Sequence, residues 1–96
     1  MSRAFLSEDA GGAELPRPYS LPPRDDPSYP RASARALLRG AGAGDTAGAE
    51  AATGYFWGDP ALRAEIEVIL REAQEDGDER LEQLAERFLR ASGRHR

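Results

Sequence analysis

The sequence predicts an all-α fold, a small bundle of three to four short helices behind an extended, proline-rich N-terminal arm. Three observations carry this expectation. Apolar residues recur at helical spacing through the C-terminal half, six of the seven prolines fall within the first 30 residues, and no segment alternates apolar and polar residues as a half-buried strand does. With 96 residues the chain has room for one small domain and a tail. Its core must be thin, because a chain of this size buries only about 60–65% of the surface that it exposes when unfolded.

Residues 1–29 read as the arm. Pro16, Pro18, Pro22, Pro23 and Pro27, with Pro30 closing the run, each lack an amide proton and hold the preceding residue extended, so neither a helix nor a central strand persists before Ser28. The arm also carries Phe5, Leu6, Leu15, Tyr19 and Leu21, too much apolar surface for an inert linker. Such side chains lie against their own domain or against a partner, and the sequence leaves both open.

Residues 30–92 read as the helical domain, with 93–96 a tail. Pro30 suits a first helical turn, where its missing amide would be unpaired in any case. Ala34, Leu37 and Leu38 share a face, and Gly40 is a natural stop, which puts the first helix at 30–39. Asp45 or Thr46 then caps a second, alanine-rich helix ending near Gly54. Asp59-Pro60 is the clearest start signal in the chain, and Leu62, Ile66, Ile69, Leu70 and Ala73 follow as one helical stripe over 60–75. Gly77 allows a sharp turn, Asp78 caps again, and Leu81, Leu84, Ala85, Phe88 and Leu89 repeat the stripe over 79–92. So short a connection makes the last two helices an antiparallel hairpin, with Ile66, Ile69, Leu84 and Phe88 at its centre.

Composition excludes several chemistries. There is no cysteine, hence no disulfide framework, thiolate zinc site or cysteine nucleophile. No run approaches the roughly 20 apolar residues that span a bilayer, and Met1–Ala10 does not read as a signal sequence, so a cytoplasmic protein is expected. The only histidine, His95, sits in the terminal Arg-His-Arg with neither a pocket nor an orienting partner. No serine has a plausible base, and nothing fixes two carboxylates across a cleft. The reading is therefore of a non-enzymatic protein without cofactor or metal.

Charge is uneven. Residues 59–92 hold ten acids against five arginines, whereas the whole chain carries −4. Asp59–Arg63, Glu67–Arg71 and Glu86–Arg90 stand at i,i+4, so most of this is a solvated helix face. The acids around the 76–79 turn lack the ligand spacing of a calcium loop. The densest aromatic cluster is Tyr55, Phe56 and Trp57. In so small a chain these rings are chiefly core, yet three consecutive side chains cannot all face inward, and one left outside would be a partner's anchor. Direct nucleic-acid binding is not expected, because no basic track accompanies the aromatics.

Met1-Ser2-Arg3-Ala4-Phe5, the following Glu8-Asp9, and Leu15-Pro16-Arg17-Pro18 with Ser20 resemble the leader of some bacterial Gre-type transcript cleavage factors. Tyr29-Pro30 leading into Leu37-Leu38 is similar to the start of that family's first long helix, with Tyr29 in the place of the usual threonine. Gly44-Asp45, Ala49-Glu50 and Tyr55 are loosely similar to its acidic hairpin tip. Members bind RNA polymerase and insert a coiled-coil tip whose two acids help to hold a catalytic magnesium. The resemblance puts Asp45 on the first acid, but Gly48 stands in place of the second and Glu50 comes two residues late. It implies a reduced relative that keeps the polymerase-binding address, without the active tip, the long coiled coil or the C-terminal β-rich domain. The alternative is a small helical adaptor docking on another protein complex. In either case the expected partner-binding residues are Phe5, Leu6, Tyr19 and Leu21 on the arm, together with Tyr55, Phe56 and Trp57.

Overall fold

The structure, a computed structural model, describes residues 19–93. The leader through Pro18, with Phe5 and Leu6, and the last three residues, with His95, lie outside them. The described chain is all-helical: α1 (Tyr29–Gly42), α2 (Thr46–Thr53), a 3-10 turn (Pro60–Leu62), α3 (Arg63–Asp76) and α4 (Glu79–Ser92). No strand occurs among the described residues.

Local chemistry sets most of the boundaries. The Asp45 carboxylate accepts from the Gly48 amide at the start of α2, Asp59 from Ala61, and Asp78 from Leu81, each occupying an amide that an uncapped helix leaves unpaired. Gly54 and Gly77, at φ 80° and 71°, end α2 and α3 in the left-handed region that side chains with a Cβ avoid. The stripe expected at 60–75 is present, but it begins as the 3-10 turn and becomes α-helical only at Arg63. Between Tyr19 and Ser28 there is no helix or strand, only irregular chain with bends and turns. In one of these the Asp26 carboxylate accepts from both the amide and the hydroxyl of Ser28, which holds its carboxyl below the ordinary range.

The first helix does not stop at Gly40. It runs on to Gly42, and Gly40 is buried inside it. A Cβ there would lie 2.7 Å from the Ala49 Cβ and 2.9 Å from the Asp45 carbonyl oxygen. Gly40 is therefore the point at which α2 crosses α1 in near contact, a use of glycine that its local sequence does not distinguish from a cap.

The α3–α4 hairpin forms as the stripes require, and α1 lies across both of its helices while α2 packs on α1. Ile66, Ile69, Leu84, Ala85 and Phe88 are all buried, but so are Ala34, Leu37 and Leu38 of α1. The core is consequently a three-helix junction instead of a two-helix seam. Arg31–Glu65 and Arg35–Glu72 pair α1 with α3 along its edge. Among the described residues none of the three i,i+4 pairs named from spacing occurs; Arg63 makes a different i,i+4 pair, with Glu67 at 3.6 Å, and donates to the Ser92 hydroxyl. Ser33 Oγ is buried without a hydrogen-bond partner among the described residues, a cost that the surrounding packing offsets.

Candidate protein-binding surface

The loop from α2 to α3 sorts its three aromatic side chains by alternation. Thr53, at the last turn of α2, donates its hydroxyl to the Ala49 carbonyl and accepts from the Tyr55 amide, which bends the chain back over α1. Tyr55 is then half-buried beside Tyr29, with ring centroids 6.3 Å apart. The Tyr29 hydroxyl donates to the Thr53 carbonyl at 2.7 Å, so one buried ring closes the same loop from below. Two residues on, Trp57 packs edge-to-face on Phe88 at 4.9 Å, a geometry favoured by the ring quadrupoles. Gly58, at φ 85°, lets the backbone pass α4 where a Cβ would lie 2.8 Å from that of Ala91.

Phe56, between these two inward rings, is 44% exposed and is the only large apolar side chain so exposed among the described residues. The Trp57 amide donates to the Glu50 carboxylate at 2.8 Å. The turn presenting Phe56 is thus held by two ring contacts and a charge-assisted hydrogen bond, and little freedom remains for it to lose on binding.

The expected arm anchors fare differently. Tyr19 is buried at 7% exposure in the core cluster, and its hydroxyl donates to the Asp45 carboxylate at 2.8 Å. Burial first, and then this carboxylate, push its hydroxyl above the ordinary phenol range. As a partner anchor Tyr19 is therefore corrected: its ring is buried in the core and its hydroxyl is satisfied within the fold. Leu21 is half-buried against the same core. The boundary expected at residue 29 likewise shifts, since the chain already belongs to the domain from Tyr19. Arg24 stacks its guanidinium over Tyr29, 5.6 Å from the ring centre, and fastens the segment midway.

The two acids singled out as a tip are both used within the fold. Asp45 caps α2 and holds Tyr19, and Glu50 holds the Trp57 amide. They do not project together from the end of a long hairpin, for α2 has only eight residues. No group of three or more acids or histidines able to hold a metal ion occurs among the described residues, and no helix there is long and apolar enough to cross a membrane.

The structure also brings together what sequence order hides, a cleft between the C-terminal half of α1 and the N-terminal half of α4. Leu38, Leu81 and Leu84 line its apolar wall, and Arg35, Arg39, Arg80 and Asp78 its rim. No family model, curated protein or solved structure matches the chain.

Proposed function

We propose that this protein is a non-enzymatic binding factor that holds another protein through the aromatic turn at Phe56. The observation that carries the reading is a large apolar ring left 44% exposed on a turn whose neighbours are tied down on both sides. Fully covering the exposed part of a ring that buries roughly 200 Å² removes about 90 Å² from water, worth about 2 kcal/mol, or some thirtyfold in affinity. Tyr55 and Trp57 support this surface from beneath.

RNA polymerase is the partner to which the leader resemblance points, and the action proposed is binding in the cytoplasm without stimulation of transcript cleavage. Asp45, which the resemblance puts on the first tip acid, and Glu50, two residues late for the second, are both hydrogen-bonded within the fold. The second reading is an adaptor on another protein complex, favoured by the same exposed ring.

Capture from the protein's own cell extract tests the proposal, with tagged wild type and Phe56→Ala compared at equal loading. The expected result is recovery of RNA polymerase with wild type and its loss with Phe56→Ala, while the variant keeps its helical circular dichroism and melting temperature. A different partner lost in the same way supports the adaptor reading. Equal capture by both proteins overturns the role of the aromatic turn.

A further inference from the structure

The cleft between α1 and α4 lies at the other end of α4 from the aromatic turn, since Trp57 and Gly58 meet Phe88 and Ala91 whereas the cleft is bounded by Asp78, Arg80, Leu81 and Leu84. Eleven residues of helix, about 16 Å, separate Arg80 from Ala91. The cleft encloses about 290 Å³. Its floor is apolar, with Leu38 fully buried and Leu81 only half-buried.

Its rim is basic in a chain that is acidic as a whole. Arg35 and Arg39 stand one turn apart on α1, and Arg80 faces them from the first turn of α4. That first turn also contains Glu79 and Glu82, the charge that a helix N-terminus favours, so Arg80 is the locally disfavoured residue there. Among the described residues its one hydrogen bond runs to the Gly42 carbonyl at 3.4 Å, and it makes no ion pair there. Most of the five N–H donors of its guanidinium thus have no partner among the described residues. Arg35 is paired with Glu72, on a side chain still 46% exposed. The one acid on the rim, Asp78, is engaged in capping Leu81.

We propose that this cleft takes an acidic segment of a partner protein, with one apolar side chain on Leu38, Leu81 and Leu84 and a neighbouring carboxylate on Arg80. Charge complementarity selects this occupant. A guanidinium fork presents parallel donors to a carboxylate, and a half-buried leucine beside it gives an apolar side chain somewhere to go. The contact is separate from the aromatic turn and does not rest on it.

The probe is a short fluorescein-labelled peptide of glutamates around a central leucine, titrated by anisotropy and by amide shift mapping on the full chain. Wild type should bind it saturably, with shifts centred on Arg39, Arg80 and Leu81 and with affinity falling as salt is raised. Arg80→Glu should weaken binding by about fivefold, the scale of one exposed ion pair lost and reversed. Arg80→Lys should retain more of it, and Phe56→Ala all of it. Unchanged circular dichroism in the Arg80 variants ties the loss to the site, and if Arg80→Glu misfolds, the lysine variant and the shift map decide. The proposal is overturned by absence of saturable binding, by equal binding of the lysine analogue of the peptide, by equal affinity in Arg80→Glu, or by shifts elsewhere. Equal competition by inorganic phosphate, or preference for an RNA oligonucleotide, overturns it as well.

Discussion

Replacing Phe88 by alanine removes the largest side chain that the fold buries completely. The ring sits where α4 meets α1 and α3 and forms the floor under Trp57, so two losses coincide: the transfer energy and cavity of the deleted ring, and the edge-to-face contact above it. Phenylalanine-to-alanine truncations at such sites cost about 3–5 kcal/mol, and aromatic pairing accounts for roughly 0.5–1.5 kcal/mol of that scale. A domain of this size is stable by only about 4–11 kcal/mol. The variant should therefore melt some 15–30 °C lower, or be partly unfolded at room temperature. Phe88→Leu, which keeps most of the volume, should cost about 1.5 kcal/mol or less. Denaturation is best followed by circular dichroism for the helices and by fluorescence of the single tryptophan, Trp57, whose ring touches the altered site. Fluorescence should change in the folded baseline as well as at the midpoint. An unchanged melting temperature in Phe88→Ala would refute the three-helix core, and an unchanged Trp57 spectrum would refute the contact between the rings.

Gly40→Ala tests the crossing of α1 and α2. Alanine improves an ordinary helical position by about 1 kcal/mol, but here its Cβ would meet Ala49 at 2.7 Å, so thermal denaturation should show a loss, and a gain would mean that the helices do not touch. Tyr19→Phe should cost about 1 kcal/mol through loss of the bond to Asp45, read as a shift in denaturant midpoint at constant slope. The same residue carries an alkaline signature. Its folded-state pKa is raised, so its contribution is fully present below the unfolded value of about 10 and is lost as pH rises from there through the folded value. Tyr19→Phe should accordingly flatten the alkaline limb of a stability–pH curve, and an identical limb in both proteins would exclude the contact.

Those parts of the fold that depend on neighbours in sequence were legible before any coordinates. Asp78 and Gly77 define the hairpin turn within two residues, and the stripe from Leu81 to Leu89 needs only its own spacing. The cap of α2, which sequence narrows to Asp45 or Thr46, is equally local. Gly40 shows where such reasoning ends, because a helix stop and a helix crossing use the same residue for the same missing Cβ, and only the position of Ala49 separates them. Tyr19 is harder still: an aromatic residue among prolines carries no local mark of which surface it meets. Of the aromatic triplet, alternation required at least one ring outside, but identifying it as Phe56 needed both Tyr29 and Phe88 in place. The arginine cleft could not be read at all, since Arg39 and Arg80 are some forty residues apart and each looks like an ordinary charge on a solvated helix.

The hydroxyl of Tyr19 ends on the same carboxylate that opens α2, and this joins two parts of the molecule mechanically. Tension applied at Tyr19, the first described residue, enters the domain through that buried ring. Its first point of transmission is Asp45, the residue holding the start of a helix that is short, alanine-rich and braced chiefly by α1. Drawing Tyr19 out would deprive Asp45 of one of its two hydrogen-bonding duties and uncover the crossing at Gly40 beside it. The α3–α4 hairpin, held by its own seam, would feel little of this. Strain entering at Tyr19 thus reaches α2 before the hairpin, and the domain would yield from its loosest helix toward its tightest pair.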